Sequence, residues 1–199
     1  MDVMPKTRLE AFSDGVIAII ITIMVLEMKA PHGADLAALR PLLPVVLSYV
    51  LSFLYLAIYW NNHHHLLHAT TRINARIMWA NLHLLFWLSL VPFVTGWLGE
   101  HHGDSWPTAL YGVVLLMAGL AYLVLQSCIV AAQGRDSSLA AALGGDWKGK
   151  LSLGSYAAAI ALAFVNQRFS DALYVFVAVL WVIPDRRIER LAQTGVSSK

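Results

Sequence analysis

RLEAFSDGVIAIIITIMVLEM, residues 8–28, is the stretch of sequence that decides the fold. It opens with polar side chains that include Arg8, Ser13 and Asp14, and it then becomes apolar as far as Leu26, apart from Thr22. An α-helix needs roughly 20 mainly apolar residues to cross a membrane. Because charge at membrane depth is costly, polar residues at one end of such a helix are expected to have partners on other helices. The stretch therefore predicts a membrane-spanning helix whose opening turns contact neighbouring protein.

The composition of the whole chain is typical of an integral membrane protein. Of its 199 residues, 58% are hydrophobic and 13% are charged, whereas soluble domains carry about 25% charged residues. This composition makes the lipid bilayer the expected surrounding of the protein. The net charge of +2 is too small to indicate a nucleic-acid partner. The single cysteine, Cys128, excludes an intrachain disulfide. No small-residue cleavage site follows the first apolar segment, which is therefore expected to stay in the mature protein.

Six apolar segments predict an all-α, polytopic membrane protein with six transmembrane helices in a single domain, residues 1–199. Pro92 lies inside the third segment and predicts a kink there. The last two segments are short and are expected to form a tight helical hairpin, while residues 191–199 are expected to be a disordered tail. The predicted helices are 12–30, 41–64, 73–98, 107–132, 151–166 and 170–183.

The Lys and Arg residues between these segments predict the orientation of the helices. With the N-terminus in the cytoplasm, eleven of them lie on the cytoplasmic side and three on the other side. This bias predicts an even number of spans and two cytoplasmic termini. The eleven are Lys6, Arg8, Arg72, Arg76, Arg135, Lys148, Lys150, Arg186, Arg187, Arg190 and Lys199, and the three are Lys29, Arg40 and Arg168.

The first helix has two different faces. With Ile19 placed at zero and about 100° per residue, Ile23 falls at about 40°, Leu26 at about 340° and Thr22 at about 300°. We call these four residues the α1 stripe. Asp14 falls at about 220°, nearly opposite. An apolar stripe of this kind is by itself more typical of helix packing than of an ion pathway.

The pattern R-x-x-x-F-S-D, formed by Arg8, Phe12, Ser13 and Asp14, resembles the start of the first helix in the transmembrane protein 175 family. That family comprises the endolysosomal potassium channels and their bacterial relatives. Its animal members carry two six-helix repeats, so this single-repeat chain resembles the bacterial members. The resemblance implies a bacterial inner-membrane location and no cofactor besides the permeant potassium ion. It also implies that the four motif residues hold the first helix in place.

The resemblance further implies a homotetramer in which the first helix of each protomer lines a central pore. It places the ion pathway and filter at the α1 stripe, with Ile19 and Leu26 forming a hydrophobic constriction. No T-V-G-Y-G sequence is present, so the usual filter of stacked carbonyls is not expected. A narrow apolar ring can gate by dewetting and should favour potassium, which holds its water less tightly than sodium. The chain is therefore predicted to be a potassium-selective channel and not an enzyme.

Residues of the second and third predicted helices are candidate partners for Ser13 and Asp14. The pattern Trp60-x-x-His63-His64 resembles the second helix of the family, and Asn81 lies where the third begins to resemble it. Which histidine contacts Asp14 is left open by the sequence.

Two other functions remain open from the sequence. A proton-coupled secondary transporter would need an ionisable residue at mid-membrane and broken helices around a substrate; the first helix has neither, although Pro92 leaves room in the third. A membrane enzyme could use a metal held by His63, His64 and His68, because His64 and His68 are spaced i,i+4. No cysteine or carboxylate lies near that pair in the sequence, so no metal site is predicted.

Overall fold

The structure, a computed structural model, describes residues 5–71, 73–134 and 146–182. Within these ranges the regular structure is helical, and it comprises seven α-helices and one 3₁₀ helix. The α-helices are α1 (Lys6–Leu26), α2 (Leu43–His68), α3 (Ala75–Ser89), α4 (Val91–Glu100), α5 (Ser105–Gln133), α6 (Trp147–Leu162) and α7 (Gln167–Val182), and the 3₁₀ helix is Leu36–Leu42.

Four helical stretches of the described chain are long and apolar enough to cross a membrane. They are Lys6–Leu26, Leu36–His68, Ala75–Glu100 and Ser105–Gln133. Helices α6 and α7 coincide with the fifth and sixth predicted segments, but each has only 16 residues. The all-α prediction is therefore confirmed, whereas the count of six spans stays a prediction. The expected tail at 191–199 lies outside the described residues.

The third predicted segment is interrupted at Pro92, as expected. Helix α3 ends at Ser89, Leu90 keeps helical angles (φ −84°, ψ −12°), and α4 begins at Val91. Proline has no N–H, so it cannot donate to the carbonyl four residues earlier and its ring crowds that carbonyl. Next to this break, the Leu90 N–H bonds to the Trp87 carbonyl three residues earlier, at 3.3 Å. The result is one membrane-length stretch made of two helices.

The second span begins with the 3₁₀ helix Leu36–Leu42, which the sequence did not predict. Its first turn is capped by Asp35, whose Oδ1 accepts a hydrogen bond of 3.0 Å from the backbone N–H of Ala38. A capping carboxylate of this kind satisfies an N–H that would otherwise have no partner at a helix start. Helix α2 follows at Leu43 with Pro44 in its first turn, a position that suits proline.

Helix α1 lies at the edge of the bundle, while α5 lies at its centre. Helix α5 packs against α3, α4, α6 and α7, whereas α1 packs mainly against α2, α3 and α4. Four apolar side chains of α1 are buried in this contact: Leu9, Ile17, Ile20 and Met24. Between helices in a bilayer, such contacts stabilise mainly through close packing, since lipid is as apolar as the side chains. One face of α1 is thus covered by other helices of the same chain, and the other face is exposed in the described structure.

Candidate functional site

A buried hydrogen-bonded chain joins α1, α3 and α2 near the start of α1. Ser13 Oγ donates to the Leu9 carbonyl at 2.8 Å and accepts from Asn81 Nδ2 at 2.9 Å. Asn81 Oδ1 lies 2.6 Å from His63 Nε2. All three side chains are fully buried. Because the amide oxygen can only accept, His63 carries its proton on Nε2, and the three residues satisfy one another; we call them the α1 anchor.

Asp14 is held by a second contact, from the exposed side of α2. The Trp60 indole Nε1 donates to Asp14 Oδ1 at 3.0 Å. The Trp60 ring stacks on His64, and His64 stacks on His68, each pair with ring centroids 6.1 Å apart. His64 therefore contacts the motif only indirectly, through the Trp60 ring. Trp60 and Asn81 bond to the motif residues Asp14 and Ser13, and His63 bonds to Asn81. In the described chain no histidine bonds directly to Asp14.

The histidines at the end of α2 do not form a metal centre in the described residues. His64 and His68 lie against each other as stacked rings, with centroids 6.1 Å apart. No group of three or more His, Cys, Asp or Glu side chains in these residues is arranged to hold a metal ion. The geometry offers no support for the metal-enzyme alternative.

The α1 stripe lies on the open face of the helix. The exposed fractions of Ile19, Ile23 and Leu26 are 58%, 41% and 80%. Thr22 is also exposed, and its Oγ1 donates to the Ile19 carbonyl of its own helix at 2.9 Å. The oxygen of that hydroxyl still has acceptor capacity that could face a cation. In the described chain, therefore, these four residues belong to the exposed face of α1.

Arg8 and Phe12 share the open face rather than the anchored one. On the scale used above, Phe12 lies at about 20° and Arg8 at about 340°; both are exposed. Nearby Lys6 is engaged, since its Nζ donates to the His68 carbonyl at 2.7 Å and lies 3.7 Å from Glu10 Oε1. The motif thus divides into Ser13 and Asp14, which contact α2 and α3, and two residues that project from the protomer.

An open groove of about 690 Å³ runs beside the stripe, between α1, α2 and α4. Ile19 and Ile23 line one wall, and Phe93 and Trp97 line another. At the end of the groove away from the motif, Lys29 Nζ lies 2.8 Å from Glu100 Oε1. This hydrogen bond, together with the negative charge of Glu100, raises the pKa of Lys29.

A second buried polar cluster, not predicted from the sequence, joins α2, α4 and α5. Thr95 Oγ1 lies 2.7 Å from both Ser52 Oγ and the Val91 carbonyl, and Ser52 Oγ lies 3.0 Å from the Tyr111 hydroxyl. Single hydroxyl-bearing residues inside apolar segments show no regular spacing in the sequence, so each one resembles an ordinary packing residue. Only the pairing across helices identifies them.

Comparison with known proteins identifies the family. The sequence profile described as "Endosomal/lysosomal potassium channel TMEM175" matches residues 8–92. A potassium channel from Chryseobacterium sp. (strain P1-3) is 49% identical over 187 residues, which are 94% of this chain and 97% of the relative. The chain belongs to the TMEM175 family. The family membership predicted from the R-x-x-x-F-S-D motif is therefore confirmed.

Two further comparisons agree with this assignment. A potassium channel from Streptomyces collinus is 36% identical over 126 residues, covering 59% of this chain and 61% of the relative. The crystal structure of a lysosomal potassium-selective channel TMEM175 homologue from Chamaesiphon minutus matches this fold with a TM-score of 0.79 at 27% identity. That match covers 89% of this chain and 96% of the other. The protein is thus an integral membrane protein of a potassium channel family, and not an enzyme.

Proposed function

We propose that this TMEM175 protein is a homotetrameric potassium channel whose pore is lined by α1 from each of four protomers. Ile19, Thr22, Ile23 and Leu26 form the ion pathway, and the narrowest part is a ring of apolar side chains. The single observation that carries the proposal is the division of α1 into an anchored face and an open face. The stripe belongs to the face of α1 that its own chain leaves exposed, as a pore-lining surface must.

The conduction mechanism follows from the residue types of the stripe. Isoleucine and leucine offer no ligand to a bare cation, so an ion must keep part of its water while it passes. An apolar ring that narrows sheds its water and closes, which is gating by dewetting. Four Thr22 hydroxyls would add oxygens at one level without replacing a hydration shell. Such a pore favours potassium over sodium modestly and needs no T-V-G-Y-G filter.

The anchor keeps the stripe at the axis. Ser13, Asn81 and His63 bond on the buried side of α1, and Trp60 bonds to Asp14 beside them. A helix held on its covered side by directional bonds has a defined rotation about its own axis, whereas apolar packing alone tolerates small rotations. In this proposal Ser13 and Asp14 set which side chains of α1 reach the ions.

The protomer is completed by six spans with both termini in the cytoplasm of a bacterial cell. Helices α6 and α7 would each extend about 24 Å at roughly 1.5 Å per residue, against a hydrocarbon core about 30 Å thick. They pack against α5 and against each other. Their shortness is compatible with spanning where the bilayer thins or where flanking residues extend the span.

The test is potassium and sodium flux into liposomes that contain purified Ile19→Asn protein. The polar side chain should hydrate the constriction, so we expect faster flux and a potassium-to-sodium ratio lowered severalfold. Val25→Asn is the matched control, because Val25 is an exposed apolar residue of the same helix about 120° from Ile19. Equal ratios in wild type and Ile19→Asn would remove Ile19 from the pathway.

A further inference from the structure

Arg8 lies on the continuation of the α1 stripe toward the cytoplasm. Its position, at about 340°, is the same as that of Leu26 and about 20° from that of Ile19. It precedes Ile19 by eleven residues, so at 1.5 Å per residue it lies roughly 16 Å from Ile19 along the helix. Phe12, on the same face, is exposed between them. If the stripe lines a pore, Arg8 lies at that pore's cytoplasmic mouth.

Nothing within the described protomer neutralises Arg8. The nearest acidic residue on α1, Glu10, lies about 160° around the helix from Arg8 and is paired with Lys6. The Asp14 carboxylate, about 120° away, accepts from Trp60. A positive charge in the first turn of a helix is also unfavourable for the helix dipole. The positive-inside rule explains a cation at this end of α1, but any face of the helix would satisfy that rule.

We propose that four Arg8 guanidinium groups form a cationic ring at the cytoplasmic mouth of the pore and make conduction asymmetric. This inference rests on the proposed tetrameric pore. The ring lowers the potassium concentration at the mouth, so it weakens outward current, which draws its ions from the cytoplasm. Inward current draws its ions from the other side and is affected less. The ring thus changes the ratio of inward to outward current, and the potassium-to-sodium selectivity is left to Ile19 and its neighbours.

Salt controls the size of this effect. Mobile ions screen exposed charges over about 10 Å at 0.1 M and about 30 Å at 0.01 M. A positive potential of about one kT at the mouth would reduce the local potassium concentration by about threefold. Inward rectification should therefore be pronounced at about 0.01 M salt and nearly absent at about 1 M, where screening acts over about 3 Å.

The experiment is to record currents from inside-out patches at low and high symmetrical potassium chloride. Wild type and the charge-conserving Arg8→Lys should rectify inwardly at low salt, whereas Arg8→Gln should carry about two- to threefold more outward current there. The potassium-to-sodium ratio should be the same in all three proteins. Wild type without salt-dependent rectification would overturn the ring, and so would an Arg8→Gln protein that rectifies like wild type.

A cysteine variant keeps the test decisive if Arg8→Gln does not assemble. Arg8→Cys in a Cys128→Ser background would be treated on the cytoplasmic side, after assembly, with methanethiosulfonates of opposite charge. The positive reagent should reduce outward current and the negative one should increase it; equal responses would overturn the proposal.

The Ile19→Asn result distinguishes failure of the Arg8 ring from failure of the proposed pore. If Ile19→Asn changes selectivity but charge at position 8 has no effect, only the ring is wrong, and if neither has an effect, the pore assignment is wrong.

Discussion

Replacing Ser13 by alanine should destabilise the protomer by more than the loss of one hydroxyl normally costs. The Ser13 hydroxyl donates to its own helix, at the Leu9 carbonyl, and accepts from Asn81 Nδ2 of α3. Without Ser13 Oγ, the fully buried Asn81 amide keeps an N–H with no acceptor. Side-chain hydrogen bonds between membrane helices average about 0.6 kcal/mol and reach about 1.7 kcal/mol, whereas an unpaired buried donor costs about 1–3 kcal/mol. We therefore expect a loss of about 1–2 kcal/mol.

Ser127→Ala provides the matched control. Ser127 on α5 donates to the Leu123 carbonyl at 2.8 Å, as Ser13 does to Leu9, but it is exposed. It lacks a second bond to another helix in the described structure. Subtracting its effect from that of Ser13→Ala therefore isolates the bond between α1 and α3. We expect Ser127→Ala to change the free energy of unfolding by less than about 0.5 kcal/mol.

The assay is an equilibrium titration of purified protein in mixed micelles with dodecyl sulfate, followed by circular dichroism. A change of 1.4 kcal/mol shifts the unfolding equilibrium constant about tenfold, which such a titration resolves. The double variant Ser13→Ala/Asn81→Ala completes a cycle whose coupling energy should be about 0.5–1.7 kcal/mol. Equal effects of Ser13→Ala and Ser127→Ala, with zero coupling, would refute the idea that this bond holds α1.

Two further predictions follow from contacts elsewhere in the fold. Trp60→Phe removes the indole donor to Asp14 but keeps a ring against His64, so we expect a loss of about 1 kcal/mol in the same titration; an unchanged unfolding curve would contradict the role of this bond. Gly112→Ala would place a methyl group on the Tyr174 hydroxyl and should cost about 1–3 kcal/mol. Gly154→Ala, whose methyl group meets open space, should instead stabilise by up to about 1 kcal/mol, and equal effects of the two would refute the packing argument.

The helices were largely predictable because apolar blocks of membrane length have few alternative structures. Their ends were less so. Helix α1 begins at Lys6 rather than at residue 12, since its first two turns carry polar side chains that hydropathy assigns to a loop. The 3₁₀ helix Leu36–Leu42 was missed for a different reason. Its conformation depends on the Asp35 cap and on Pro41, and single residues of this kind do not change the periodicity of apolar residues from which helices are predicted.

Candidate partners of Ser13 and Asp14 could be named from the sequence, but their pairing could not. Trp60, His63 and Asn81 were named from resemblance, because no property of the sequence alone brings α2 and α3 to Ser13. Which group bonds to which depends on the rotation of each helix, and a rotation of α2 by about 100° would exchange His63 for His64. The cluster of Ser52, Thr95 and Tyr111 escaped altogether, since its members belong to three separate spans.

The separation of the α1 anchor from the α1 stripe has a consequence for how this sequence can diverge. Selection for a stable subunit acts on Ser13 and its bonded neighbours, whereas in the proposed pore selection for permeation acts on side chains of the exposed face of α1. Substitutions at Ile19, Ile23 or Leu26, which are 58%, 41% and 80% exposed, therefore disturb the subunit's own contacts less than substitutions in the anchor do. Lineages that inherit the anchor can retune their ion preference one position at a time without first having to rebuild the scaffold.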